Sequence, residues 1–221
     1  MKVMGTVFTW LVVIVFCPPP ASADNILFNN LGPNDSHDDH RALWFGFEFG
    51  QEGDPDDQVA QAVSFSPSVT GTLSTLELPL EFPWSFQNGS FELNLYTAAG
   101  VLPGERLESW SADGPYLPTA LTTFTSLSQP LLLAGALYFL EVRAIGMADG
   151  LWYLTNEDPD QRVPGAFRQH EGAWLPITRL VTPALRVTGE VAMAPTPEPA
   201  TLVLIGSGLA LAALRRRRSL P

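Results

Sequence analysis

The fold is decided by the stretch Leu73-Ser74-Thr75-Leu76-Glu77-Leu78-Pro79-Leu80. If this segment is extended, Leu76, Leu78 and Leu80 lie on one face, because successive side chains of a strand point to opposite sides. Alternation of this kind is typical of a strand that buries one face. The segment therefore predicts a β-strand that packs on a hydrophobic core.

A second alternating stretch, Phe91-Glu92-Leu93-Asn94-Leu95-Tyr96, follows a short distance along the chain. Its apolar residues at odd positions share one face, and we expect Glu92 and Asn94 to point to water. The turn sequence Asn88-Gly89 separates it from the first stretch. It predicts a second strand, half-buried like the first.

The same pattern covers most of residues 24–191. No segment shows a sustained helical period, and turns containing Gly or Pro recur between short apolar runs. Many short strands at this spacing predict an all-β fold, an antiparallel β-sandwich of jelly-roll type. The predicted strands are Leu43–Phe49, Val59–Phe65, Gly71–Leu80, Ser90–Tyr96, Arg106–Ser111, Ala120–Leu127, Ala136–Ala144, Leu151–Thr155, Gly165–His170 and Ala184–Val191.

The N-terminus is typical of a cleavable signal peptide. A positive charge at Lys2 precedes an apolar run, and the small residues Ala21 and Ala23 form an A-x-A cleavage site. Residues 1–23 are therefore expected to be a signal-peptide helix. Since Cys17 is the one cysteine of the chain, cleavage leaves a domain that no disulfide stabilises.

The C-terminus joins a Pro-rich linker (192–199) to a hydrophobic segment with an arginine-rich tail (200–221). Residues 202–214 are apolar apart from three small residues, and the basic end consists of Arg215, Arg216, Arg217 and Arg218. At about 1.5 Å per residue the apolar run reaches roughly 20 Å, short of the hydrocarbon core of about 30 Å. We expect a hydrophobic helix that anchors the chain temporarily, with the arginines on the cytoplasmic side.

This tail resembles the PEP-CTERM sorting signal through Pro197, Glu198 and Pro199, the interrupted apolar run and the arginine cluster. In that family, found in Gram-negative bacteria that make exopolysaccharide, the membrane protease-transpeptidase exosortase cuts at the motif. The resemblance implies an exosortase substrate that is transiently anchored in the inner membrane and then secreted or held at the cell surface. An ordinary tail anchor behind a proline-rich linker is the alternative.

The central region is similar to the extracellular β domains called choice-of-anchor, type R. The resemblance rests on the strand at 93–97, the turn Leu102-Pro103-Gly104 and the strand entry at 133–138. It implies a surface-attached β-sandwich, and it brings no activity or site residues with it.

The mature region is strongly acidic. Residues 24–198 contain all 23 acidic residues and seven basic ones, all arginines, which makes a formal charge of −16. Such a surface repels nucleic acid and anionic lipid, so nucleic acid is excluded as a partner.

Two clusters have the composition of cation sites. Asp54, Asp56 and Asp57 lie in an acidic loop whose oxygen ligands suit Ca²⁺. His37 and His40 lie among carboxylates in a pattern that suits a transition metal. An ordinary acidic turn and a solvated lead-in are the respective alternatives, and no cofactor is expected besides calcium.

The tryptophans suggest a contact with sugar. Trp84 and Trp174 lie near predicted turns, where an exposed ring can stack on a sugar face. Trp44, Trp110 and Trp152 lie in predicted strands and are expected in the core.

The sequence contains no G-x-S-x-G, H-E-x-x-H or phosphate-binding loop, and carboxylates are too numerous for any pair to indicate glycoside hydrolysis. We therefore expect a secreted, non-catalytic protein with a structural or binding role in the exopolysaccharide matrix or envelope. The alternatives are a secreted carbohydrate-binding or carbohydrate-active protein and a calcium-dependent adhesion module.

Overall fold

The computed structural model describes residues 25–47, 58–81, 90–113, 121–145, 149–156, 162–169, 172–191 and residue 207. Within these ranges the regular structure is β-strand, apart from a 3-10 turn at Pro33–Asp35 and the helical residue Ser207. The all-β prediction is confirmed. The strands are β1 (Asn25–Asn29), β2 (Asp38–Phe47), β3 (Gln58–Phe65), β4 (Gly71–Glu81), β5 (Ser90–Ala99), β6 (Leu102–Asp113), β7 (Leu121–Thr125), β8 (Leu131–Leu132), β9 (Tyr138–Ile145), β10 (Asp149–Leu154), β11 (Arg162–Gln169), β12 (Leu175–Val181) and β13 (Arg186–Val191).

The strands form one curled antiparallel sheet. Its main order is β1-β13-β4-β10-β2-β3-β9-β5-β6, with β7 and β8 paired to β4, and β11 paired to both β3 and β12. Strand β4 connects two portions of this sheet. Its residues 71–79 pair with β13, β7 and β8, and its last two residues, Leu80 and Glu81, pair with β10.

The main hydrophobic core draws side chains from both portions of the sheet. The leucines of β4 are fully buried, as are Phe91, Leu93 and Leu95 of β5, so the apolar faces predicted for these two strands are confirmed. Rings from strands that are not neighbours in the sheet pack edge to face across the core, as between Phe91 of β5 and Phe124 of β7, whose centroids lie 5.9 Å apart. The largest fully buried side chains are Trp152, Phe45, Phe91, Phe139, Leu27, Leu31, Leu73, Leu76, Leu78, Leu80, Leu93 and Leu95.

The tryptophans predicted for the core are buried to different degrees. Trp152 is fully buried, and its indole N–H donates to the carbonyl of Ala184 at 2.9 Å. Trp110 is half-buried against the core, and its indole N–H donates to the carbonyl of Thr125 at 2.8 Å. Trp44 is also half-buried.

The prediction that Glu92 and Asn94 point to water is wrong for Asn94. That residue is buried, because other side chains cover the second face of β5 as well as the first. Glu92 is half-buried and forms an ion pair with Arg143 of β9, with N–O distances of 2.9 and 2.6 Å. The face expected to be solvated therefore carries structural polar contacts.

Three strands were not predicted. Strand β12 has no alternation, because most of its side chains are exposed and it pairs with β11 alone within the described residues. Strand β8 is two residues long, and β1 is short and half exposed. The strand predicted over Ala120–Leu127 ends early, at Thr125.

Several parts of the fold prediction stay predictions, the jelly-roll sandwich among them. The signal-peptide helix lies outside the described residues, and of the C-terminal helix only Ser207 is described. The domain boundaries at residues 23, 191 and 199 likewise border stretches outside the described ranges.

Candidate functional site

A polar cluster lies on the face of the sheet opposite the main core. It consists of Asn94, Tyr96, Glu141, Arg168 and Trp174, and we call it the Glu141 cluster. Its first two residues alternate along β5 with core leucines, so their side chains point to the other face. The apolar residues around it include Ala62, Phe139 and Ala166, all fully buried.

The carboxylate of Glu141 is fully buried and binds side chains from two other strands. Arg168 of β11 donates from Nε and from one terminal nitrogen to Oε1, at 3.0 and 2.6 Å. On Oε2, the Tyr96 hydroxyl donates at 2.7 Å and the Asn94 amide at 3.1 Å. Because a buried charge is tolerated only when it is paired and hydrogen-bonded, these four donors let the sheet hold a carboxylate here.

Tyr96 is locked in its neutral form. Burial raises the pKa of its hydroxyl well above the ordinary value, and the negative charge of Glu141 and the hydrogen bond to it raise the pKa further. The hydroxyl therefore acts as a permanent donor to Glu141.

Trp174 covers the cluster from the segment between β11 and β12. The guanidinium carbon of Arg168 lies 4.6 Å from the centroid of its ring, a cation–π contact, and Tyr96 packs edge to face against it at 6.2 Å. The side chain is half-buried. The structure thus gives Trp174 a packing role over an ion pair, and its predicted contact with sugar stays a prediction.

The chemistry open to this cluster is limited by how fully its carboxylate is bonded. Both oxygens of Glu141 already accept hydrogen bonds, so neither is presented as a base or as a cation ligand. In this cluster Asn94 Oδ1 is buried without a hydrogen-bond partner among the described residues. The arrangement ties β5, β9 and β11 together.

A second structural carboxylate joins the edge of β6 to the chain between β7 and β8. Glu108 accepts hydrogen bonds from Ser126 Oγ at 2.5 Å and from the backbone N–H groups of Leu127 and Ser128 at 2.6 and 3.2 Å. Burial alone would raise the pKa of Glu108, but these donors outweigh it and hold the pKa below the ordinary value. The N–H groups of Leu127 and Ser128 thus bind Glu108 and not the sheet, beyond the end of β7 at Thr125, while the Ser126 N–H still donates to the Ser74 carbonyl of β4 at 2.8 Å.

The histidine cluster is not assembled into a metal site. His37 packs its ring against Tyr153 with centroids 5.4 Å apart, and His40 is exposed beside Asp39. Asp35 instead forms an ion pair with Arg186, N to O 2.5 Å. Within the described ranges, no group of three or more His, Cys, Asp or Glu side chains is placed to hold a metal ion.

Most other predicted site residues lie outside the described residues. These are the calcium candidates Asp54, Asp56 and Asp57, the sugar candidate Trp84, the cleavage-site residues Ala21 and Ala23, the motif Pro197, Glu198 and Pro199, and Arg215, Arg216, Arg217 and Arg218.

Both ends of the described domain emerge at one place, next to the start of β4. Val191, the last residue of β13, pairs with Gly71, and Asn25, the first of β1, pairs with Gly189. The loop 66–70 and the turn 133–136 lie at the same end, because Gly135 N–H donates to the Pro67 carbonyl at 2.9 Å. We call this region the exit end.

Comparison with known proteins identifies the segment that follows the exit end. Residues 195–218 match the PEP-CTERM protein-sorting motif. The motif implies a secreted or cell-surface protein that exosortase processes. A comparison with curated proteins found no match. No helix in the described part of the chain is long and apolar enough to cross a membrane.

Sequence reasoning missed the residues that build the Glu141 cluster and the Glu108 contact. One signal was present. Tyr96 places a large aromatic ring on the face of β5 that was expected to be solvated, and Phe139 places one on the face of β9 that carries Glu141. A strand with large apolar side chains on both faces is typical of a sheet covered on both sides.

Proposed function

We propose that the mature chain is a non-catalytic β domain that is sorted to the cell surface or exopolysaccharide matrix of a Gram-negative bacterium. The observation that carries the proposal is the sorting motif at residues 195–218, which begins four residues after the last strand of the domain. In this proposal the apolar tail inserts transiently into the inner membrane, and exosortase then releases or re-anchors the domain.

The role proposed for the domain itself is structural or binding. Two carboxylates that the fold buries, Glu108 and Glu141, are saturated by internal hydrogen bonds, which suits a part built for stability. Exopolysaccharide or another envelope component is the proposed partner. The jelly-roll topology and the likeness to choice-of-anchor R domains belong to the same proposal.

The sorting part is tested by changing Pro197, Glu198 and Pro199 to alanine in a host that contains exosortase. We expect a larger, unprocessed precursor that stays in the membrane fraction, because the processing enzyme no longer finds its motif. Pro195→Ala is the matched control, since it removes a proline of the same linker and leaves Pro197, Glu198 and Pro199 in place. Fractionation and immunoblotting read the result, and normal maturation of the triple variant would sink the sorting proposal.

The role of the domain is tested on the secreted product. A glycan array on the processed protein tests the carbohydrate alternative, and Trp174→Ala shows whether that ring takes part in any binding. Calorimetric titration with Ca²⁺ tests the adhesion alternative through heat and a rise in melting temperature. Turnover of a polysaccharide substrate would refute the non-catalytic role.

A further inference from the structure

Of the seven large apolar side chains that are exposed in the described part of the chain, four lie at the exit end. Ile26, Val69, Leu131 and Leu133 are exposed to 54, 36, 54 and 51 %. Leu131 and Ile26 lie on the outward faces of β8 and β1, and the other two lie in the loop and the turn that close this end. Isolated exposed leucines need no explanation, but a group around one feature of the fold does.

Backbone contacts fix these side chains around the point where the chain leaves the domain. Leu131 pairs with Thr72, one residue from the Gly71 that pairs with Val191. The Ser68 N–H, next to Val69, donates to the carbonyl of Leu27 at 2.8 Å, which joins the loop to β1. Strands β8 and β13 both run antiparallel to β4 and end beside its first residue, Gly71. The segments that follow them, toward Leu133 and beyond Val191, therefore leave the sheet at the same end.

The length of the linker determines what this end faces while the tail is inserted. Eight residues, 192–199, separate Val191 from the hydrophobic segment. A Pro-rich chain extends about 3.1 Å per residue, so the exit end stays within roughly 25 Å of the bilayer surface. With a tether this short, the membrane is the surface nearest to the exposed leucines. The tether also raises the effective concentration of the domain at the membrane to the millimolar range.

We propose that the exit end rests on the outer surface of the lipid bilayer while the tail is anchored, with Leu131 and Leu133 entering the interface. This inference rests on the tail insertion in the proposed function. The contact is apolar, because the mature region carries a charge of −16 and is not attracted to anionic headgroups. Removal of the tail also removes this tether, so the contact ends with processing unless the domain is re-anchored.

The test uses the chain with its tail, produced by secretion in cells without exosortase and reconstituted into zwitterionic phosphatidylcholine vesicles. Cys17→Ser leaves no native cysteine, and an environment-sensitive fluorophore is attached at Leu133→Cys. Leu175→Cys is the matched control, since Leu175 on β12 has the same exposure of 51 % as Leu133. Val69→Cys repeats the measurement if labelling at 133 disturbs the turn.

We expect nitroxide-labelled lipids to quench the label at 133 and to leave the label at 175 unquenched, with no loss of quenching in high salt. Flotation of the chain with the vesicles reports tail insertion separately. A chain that floats but shows no more quenching at 133 and 69 than at 175 refutes the contact and leaves insertion intact. A chain that does not float refutes insertion and the contact together. Protection of the label only in membranes that contain exosortase assigns the surface to that enzyme and overturns the lipid contact.

Discussion

Replacing Arg168 by methionine tests whether the Glu141 ion pair is a structural requirement of the domain. The change keeps an unbranched apolar stem of similar reach and removes the guanidinium. Glu141 Oε1 then loses the two bonds of 3.0 and 2.6 Å, and the fully buried carboxylate keeps only the two donors on Oε2. Arg168→Met therefore isolates the consequence of leaving this carboxylate without its counter-ion.

The expected loss of stability is large for a single substitution. Removing one partner of a buried ion pair costs about 3–5 kcal/mol, because the remaining charge is left uncompensated away from water. That is a sizeable share of the roughly 5–15 kcal/mol by which domains are stable. For a domain of this size each kcal/mol lowers the melting temperature by about 2–4 °C, so a fall of roughly 6–20 °C is expected.

The chain contains a matched control. Arg143 binds Glu92 through the same atoms at 2.9 and 2.6 Å, but the two side chains are 20 and 24 % exposed, against 13 and 0 % for the Arg168–Glu141 pair. Ion pairs reached by water contribute about 0–1 kcal/mol, so Arg143→Met is expected to cost little. The two ion pairs thus have nearly the same hydrogen-bond geometry and differ in how deeply their side chains are buried.

Urea unfolding followed by circular dichroism measures both variants. Tryptophan fluorescence is avoided because Trp174 contacts Arg168. A double variant, Arg168→Met with Glu141→Met, should recover much of the lost stability, since it removes the uncompensated charge. Equal losses for Arg168→Met and Arg143→Met, or a double variant no better than Arg168→Met, would refute the reasoning.

Two further variants test the Glu108 carboxylate and the close packing at Gly189. Because the pKa of Glu108 is lowered in the folded state, its carboxylate stabilises the fold at pH values above the ordinary glutamate pKa. This stabilisation is lost as the pH falls through the lowered pKa. Glu108→Gln should therefore make the stability less dependent on pH on the acid side. Urea midpoints from neutral to acidic pH measure this, and an unchanged slope would contradict it. Gly189→Ala should destabilise the domain by about 1–3 kcal/mol, because an added Cβ would lie 2.1 Å from the backbone oxygen of Thr72. Calorimetric melting checks it, with Gly100→Ala as a comparison in which strain comes from the positive φ of 68° and no atom lies within 4 Å of the added Cβ.

Alternation predicted the strands that have one side on the main core. In β4 the leucines are fully buried and the polar residues between them are only half-buried, so alternation there follows burial. Strand β12 has no such alternation, since both of its faces are largely exposed. Its pairing with β11 depends on backbone hydrogen bonds, which leave no apolar pattern in the sequence.

The polar cluster was missed because alternation distinguishes two faces without saying what covers the second one. Asn94 and Glu141 have the composition of a solvated face, and burial of that face depends on Arg168 and Trp174, which are distant in sequence. The sorting tail was predicted well for the opposite reason. Its motif, apolar run and basic end are contiguous, so their order alone identifies it.

The position of β13 has a mechanical consequence. It lies between β1 and β4, and its last residue continues directly into the tail. If a matrix polymer held the far end of the domain while the tail was held in the membrane, tension would run along β13. Antiparallel ladder bonds are perpendicular to the strand, so this load would shear two rows of bonds together instead of opening them one at a time. In that arrangement the ladders of β13 with β1 and β4 would resist the load in shear.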